Sequence, residues 1–238
     1  MDSLSWARVT VLVDEIAKRP LKGQYGLSLY IETDKWRAIF DTGQSADVLA
    51  WNASRLGIDL SKVDFVVLSH EHFDHVGGLG ALQALKGVPV YLPGGSNWRL
   101  EKTVESVGLK PVRLLSGKEV APGAFVTSQQ YGPPYEHALI VNVGGLGGVL
   151  IVGCSHPRAS RMAAKAAHDT GLAIRYVIGG LHLAWSPESE VRTELEALKN
   201  IGIANLVPLH CSGDKIHELA KDYGIASQRL LAGDVLAM

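Results

Sequence analysis

Residues 68 to 78 read Leu68-Ser69-His70-Glu71-His72-Phe73-Asp74-His75-Val76-Gly77-Gly78. They close the run Val63 to Leu68, which is apolar apart from Asp64 and of strand length, a pattern typical of strands buried on both faces. Three imidazoles and a carboxylate at the end of such a strand need partners, because unpaired polar groups are costly to bury. A metal ion is such a partner. His70 and His72, two apart, project to the same side of an extended backbone, and the following turn can swing Asp74 and His75 toward a second position nearby. Nitrogen and carboxylate donors suit zinc first, with iron or manganese as alternatives. The spacing is not the i, i+4 pair of helical zinc motifs. A surface histidine cluster would not explain the apolar strand before it or the Gly-Gly turn after it.

Upstream, Val9 to Val13, Leu27 to Glu32 and Trp36 to Phe40 are apolar and rich in β-branched or aromatic residues, with turn formers between them. They predict a meander. After Asp41-Thr42-Gly43 the apolar spacing becomes that of an amphipathic helix, from Ala46 through Leu49 to Leu56, ended by Gly57. Beyond the histidines a helix is expected over Leu79 to Leu85, a strand over Val88 to Leu92 and a helix around Asn97 to Val107. Strands follow at Val112 to Leu115, Ala124 to Thr127, Ala138 to Val143 and Val149 to Val152, the last two joined by the glycine-rich segment 144–148. The rest alternates: helix Ala159 to Thr170, strand Tyr176 to Ile178, helix Pro187 to Asn200, strand Asn205 to Pro208, helix Asp214 to Asp222. No Ser/Gly/Pro linker divides the chain, so a single α/β domain over 1–238 is expected, two sheets face to face with helices outside.

With 47% apolar and 20% charged residues the chain has ample core material and no disordered composition. Twenty-three basic residues stand against 24 acidic ones, so no overall field steers it toward nucleic acid or an anionic membrane. The first residues lack a basic segment leading into an apolar one, and no run of about 18 apolar residues occurs. A cytoplasmic protein is expected, with neither nucleic acid nor membrane as partner. Cys154 and Cys211 could pair only once, and a reducing compartment argues against it.

Two later histidines also stand at strand ends: His156 after Val149 to Val152, and His210 after Leu206 to Leu209. Taken alone, each serves equally well as an ordinary hydrogen-bonded histidine. Together with the early cluster they carry a resemblance. H-E-H-F-D-H over 70–75 resembles the H-x-H-x-D-H signature of the metallo-β-lactamase superfamily, and Phe40-Asp41-Thr42-Gly43 resembles a turn of that family. Gly26-Leu27-Ser28, Gly153-Cys154-Ser155-His156-Pro157, Gly179-Gly180-Leu181-His182-Leu183 and His210-Cys211-Ser212-Gly213 look like the branch typified by archaeal dihydropterin ribofuranosyl-aminobenzene phosphate synthases. The resemblance implies an αββα four-layer sandwich, with His70, His72 and His156 on a first metal and Asp74, His75 and His210 on a second. It also implies metal-dependent hydrolysis of a small, anionic substrate by activated water, with Asp74 orienting the nucleophile. A transferase or synthase on a pterin-like or phosphoribosyl substrate, and a non-catalytic ligand-binding protein, are the rival readings.

One departure from the family stands out. Many members place a bridging aspartate where this chain reads Val152-Gly153-Cys154-Ser155-His156. Cys154 could supply a thiolate instead, or, like Cys211, pack as a small buried thiol. His182 is the candidate for a functional histidine that is not a ligand, donating a proton or touching substrate. His137 is an alternative ligand to His156, while His168 and His217 fall on helices and read as surface residues. Asp41 is expected to accept an imidazole N–H from His70 or His72, or else to cap its turn. Ser155 and Arg158 open a helix that also carries Arg161 and Lys165, a place where a phosphate could sit or where a charged face simply meets solvent.

Overall fold

In the computed structural model, which describes residues 1–238, β1 (Ala7–Val13), β2 (Ser28–Thr33) and β3 (Arg37–Phe40) form an antiparallel meander. Helix α1 (Ala46–Arg55) then carries the chain over to β4 (Phe65–Val67), parallel to β3. Ser45 caps α1 by accepting the Val48 N–H, and the buried face presents Leu49, Asn52 and Ala53. The histidine loop follows, with the one-turn helix α2 (Phe73–Val76) and a 3-10 segment, Gly77–Leu82. Next come β5 (Pro89–Pro93), α3 (Trp98–Ser106) and β6 (Lys110–Leu114), again with parallel pairing.

The helix expected over Leu79 to Leu85 is thus 3-10 and starts earlier. Its three glycines are poor α-helix formers, and Gly78 lies so close to the Thr42 carbonyl that a Cβ would come within 1.9 Å of the oxygen.

The second sheet contains β7 (Lys118–Ala121) and β8 (Ala124–Val126). A small hairpin of β9 (Gln130–Tyr131) and β10 (Tyr135–Glu136) precedes the antiparallel pair β11 (Leu139–Val143) and β12 (Gly147–Val152). Parallel strands then alternate with helices: α4 (Ala159–Thr170), β13 (Ile174–Gly180), α5 (Glu188–Ile201), β14 (Asn205–Leu209), α6 (Lys215–Leu219) and β15 (Ala226–Ser227). The helix expected over Asp214 to Asp222 is α6 followed by a 3-10 turn. Last, β16 (Val235–Ala237) returns to pair with β1, giving the first sheet the order β16-β1-β2-β3-β4-β5-β6. The second runs β15-β14-β13-β12-β11-β8-β7.

Alternation along each strand divides the apolar residues into three layers. Val67, Phe40 and Val11 of the first sheet meet Ile151, Ile178 and Val207 of the second in the central core. Val66 and Ile39 face the opposite way, toward Leu49, Leu100 and Val104 of α1 and α3. Leu150 and Val177 likewise face Met162, Leu195 and Ile216 of α4, α5 and α6. The result is the αββα sandwich. No helix is long and apolar enough to cross a membrane.

Candidate metal centre

Strands β1, β3 and β4 run in one direction within the first sheet, and β12, β13 and β14 in one direction within the second. Side chains of interest sit just beyond their C-terminal ends: Asp14 and Glu15 after β1, Asp41 after β3, and His70 shortly after β4. Beyond the other three strands lie Cys154 and His156, then His182, then His210. Four of these turns hold a non-glycine residue at positive φ: Asp41 at 53°, Ser155 at 61°, His182 at 53° and His210 at 50°. Such backbone is strained, and it persists where surrounding contacts over-determine it.

Those contacts are specific. The Ser69 N–H donates to one Asp41 oxygen at 2.7 Å, and the Ser69 hydroxyl donates to the other at 2.6 Å. That second oxygen also accepts from Nδ1 of His75 at 2.7 Å. Having given its proton to Asp41, the Ser69 hydroxyl accepts from Nδ1 of His70 at 2.8 Å. Asp41 therefore reaches His75 directly and His70 through Ser69; it is not the direct partner of His70 or His72 that the sequence suggested. Its neighbour Thr42 donates both its backbone N–H and its hydroxyl to the His75 carbonyl.

The other two imidazoles are backed in the same way. Nδ1 of His156 donates to Glu136 at 2.9 Å, and Nδ1 of His210 donates to Glu15 at 2.6 Å, while Asp14 accepts the His210 N–H. With every Nδ1 proton committed, each imidazole in its neutral form keeps its lone pair on Nε2, and the four rings converge around the Cys154 sulfur. Nε2 of His70 is buried and has no hydrogen-bond partner. Nε2 of His210 faces an Asp74 carboxylate oxygen at 3.1 Å, and Nε2 of His75 lies 3.5 Å from the same oxygen. Two acceptors facing each other require a proton or a cation between them.

The ligand atoms of Asp74, His75, Cys154 and His210 all lie within 4.8 Å of one another, as do those of His70, Cys154 and His156. The His72 ring lies beside the second group, with its centroid 4.6 Å from that of His70 and 4.9 Å from that of His156. Burial, together with the surrounding imidazoles, holds the His70 pKa well below its ordinary value, so its lone pair is free at neutral pH. Burial opposes charge on Asp74, yet the His210 hydrogen bond and the neighbouring imidazoles outweigh it and bring the carboxyl down to about 2. Burial also opposes charge on His210, but Asp74 and Glu15 push its pKa up to about 10. The anionic surroundings that favour a proton there favour a divalent cation equally. This donor set of nitrogen, carboxylate and sulfur fits a first-row divalent metal.

The remaining residues separate clearly. His182 is exposed, with its ring 4.8 Å from that of His156, and it groups with Cys154 and Cys211. Ser155 donates its hydroxyl to the Gly180 carbonyl, a tie between loops. His137 is buried behind the site, where Nε2 donates to the Leu68 carbonyl, and it is absent from the ligand groups. His168 is exposed, whereas His217 is half-buried against Ser227 rather than free on the surface. The suggested phosphate position at the start of α4 is already taken by internal carboxylates. Glu194 accepts the Ser160 N–H and hydroxyl, and Glu190 pairs with the Arg158 guanidinium.

Glu136, Glu15, Asp14 and Ser69 were not singled out from the sequence. Glu136 stands 20 residues from the imidazole it backs and Glu15 stands 195 from its own, so spacing carries no sign of either. Only Ser69, adjacent to His70, could have been read locally.

Two helix-flanked sheets with inward-facing imidazoles at one common edge place the molecule in the αββα class with a candidate metal site. The chain belongs to the metallo-β-lactamase superfamily, whose family model matches residues 21–208. It is 28% identical over 267 aligned positions to the 7,8-dihydropterin-6-methyl-4-(beta-D-ribofuranosyl)-aminobenzene-5'-phosphate synthase of Methanocaldococcus jannaschii, with 91% of each chain covered. Among solved structures it is similar to Tm1679, described as a metal-dependent hydrolase of the β-lactamase superfamily. That match has TM-score 0.81 and 25% identity, over 97% of this chain and 98% of the other. The metallo-β-lactamase fold protein YhfI of Bacillus subtilis shares the fold, with TM-score 0.72 and 16% identity over 98% and 100% of the two chains.

Proposed function

We propose that this protein is a metal-dependent hydrolase whose two-metal centre acts on an ester, amide or phosphoester of a small, anionic substrate. The observation that carries the reading is the set of four imidazoles whose Nδ1 protons are committed and whose Nε2 lone pairs converge, His70 Nε2 being buried without a partner. His70, His72 and His156 would hold one cation, and Asp74, His75 and His210 the other, with zinc the best match to the donors and iron or manganese the alternatives. A bound divalent cation supplies Lewis-acid polarisation and brings the pKa of water to about 7.

The chain's own groups supply the rest. Asp74 is ionised at neutral pH and aligns an attacking water by accepting its hydrogen bond. The Cys211 sulfur beside His182 raises its pKa, so this exposed imidazole can carry a proton to the leaving group. Two clefts of about 390 and 380 Å³ meet at Glu71 and His72. Phe73 and Arg99 line one, Tyr131 and Tyr135 the other, which suits a substrate with a flat apolar part and an anionic end. The test is a panel of esters, thioesters, lactams and phosphodiesters assayed before and after chelation. Hydrolysis that stops on metal removal and returns on reconstitution supports the reading; hydrolysis indifferent to removal contradicts it.

The similarity to a synthase over 91% of both chains favours a second reading, transfer onto a pterin-like or phosphoribosyl substrate. The aromatic-lined clefts suit such a ligand as well. Product analysis with a dihydropterin and a ribofuranosyl-aminobenzene phosphate separates joining from hydrolysis. A metal-loaded protein inert in both assays would be a ligand-binding member of the fold.

A further inference from the structure

Cys154 belongs to both groups of converging side chains. Its sulfur lies within 4.8 Å of the ligand atoms of Asp74, His75 and His210 on one side and of His70 and His156 on the other. It is 3.1 Å from His75 Nε2. We infer that Cys154 is itself a ligand, its thiolate sulfur shared between the two cation positions; the inference rests on the two-metal reading above.

Three observations carry it. First, the fully buried Nε2 of His70, which has no partner, points into the same space as the sulfur and marks that space as one meant for a further group. Second, the sulfur is held in place by its backbone. The N–H groups of Cys154 and Ser155 donate to one Glu136 oxygen at 3.0 and 2.9 Å, while the His156 N–H and Nδ1 donate to the other. One buried carboxylate therefore delivers both Cys154 and His156. Gly153 permits this, because a Cβ there would fall 2.0 Å from the Ser69 hydroxyl oxygen. Third, Asp74 is the only carboxylate in the two groups, so a thiolate supplies the second anionic donor that two divalent ions call for. A thiol packed for volume alone would face apolar atoms, not the ring nitrogens of four imidazoles. Cys211 groups only with Cys154 and His182 and stands outside both sets.

On coordination the S–H bond breaks, its proton passes to solvent, and sulfur electron pairs form the bonds to the cations; no oxidant or reductant takes part. A soft shared donor favours zinc, cobalt or cadmium over manganese or magnesium.

The test replaces the native metal with cobalt(II) in the full chain and follows thiolate-to-metal charge transfer in the near ultraviolet. Cobalt binding is counted independently for the wild type and for Cys154→Ser, Cys154→Asp and Cys211→Ser. The expected result is a strong band in the wild type and in Cys211→Ser, absent from both Cys154 variants while cobalt still binds to Cys154→Asp. X-ray absorption of the two-zinc wild type should show one sulfur neighbour per zinc at about 2.3 Å. Two bound cobalt ions without the band overturn the inference, as does a band lost in Cys211→Ser but kept in Cys154→Ser. Half a sulfur per zinc overturns the sharing. No cobalt binding by the wild type overturns the two-metal reading itself, which is a different failure.

Discussion

One oxygen of Glu136 accepts two hydrogen bonds from His156, from Nδ1 at 2.9 Å and from the backbone N–H at 2.9 Å. Burial alone would raise the pKa of this fully enclosed carboxyl, but the hydrogen bonds from the His156 ring and from the Ser155 and His156 N–H groups outweigh it and bring it down. The carboxylate thus stays ionised and fixes both the ring and its loop. Glu136→Gln keeps the volume but turns one acceptor into a donor facing an N–H. Zinc affinity should fall about 10- to 100-fold, the usual effect of losing such a backing group, and chelator competition measures it. Unchanged affinity in the folded variant would show that Glu136 does not orient the imidazole.

Acid stability should carry a signature of His137. This imidazole is fully enclosed, and burial pushes its pKa down to about 4 from an ordinary value of 6.5. Between those values the unfolded chain binds a proton that the folded chain refuses. The contribution is therefore fully present above pH 6.5 and is lost as the pH falls toward 4. The complete loss is worth about 3 kcal/mol. Denaturant unfolding of the metal-free protein and of His137→Gln should show a stability difference that changes by this amount across the window. A difference that stays constant with pH contradicts it.

The histidine loop made both the sandwich and much of the site legible, because His70, His72, Asp74 and His75 are crowded into six positions after an apolar strand. The alternating strands and long helices followed from periodicity. What stayed hidden is long-range or strained. The edge strands β7 and β16 are short and largely exposed, so no apolar alternation announces them. Asp41, Ser155, His182 and His210 adopt positive φ without being glycine, a state imposed by their contacts and not by local preference. The helix start at Ser155 and Arg158 looked open to an anion only because Glu190 and Glu194 lie more than 30 residues away in sequence.

Arg158 should prove structural and minor. Its guanidinium pairs with Glu190 near the surface, where such pairs contribute at most about 1 kcal/mol. Arg158→Ala should shift thermal unfolding little and leave KM for phosphorylated substrates unchanged. A rise in KM confined to phosphorylated substrates, with uncharged analogues unaffected, would restore the anion-binding role.

His182→Gln should separate proton transfer from metal binding. The imidazole is exposed and lies outside the two main ligand groups, so metal content should not change. Loss of the proton donor should lower kcat by about 10²-fold or more, with the alkaline limb of the pH profile abolished. A parallel loss of metal would make His182 a ligand instead.

On the proposed reading, histidines dispersed over the chain converge on bound cations. Elemental analysis of the wild type and of the His70→Ala/His72→Ala variant, both purified without chelator and checked for folding by circular dichroism, tests it directly. The expected result is stoichiometric zinc, iron or manganese in the wild type and its loss from a folded double variant. Stoichiometric metal retained by that variant, or a wild type that takes up none on reconstitution, would contradict the account.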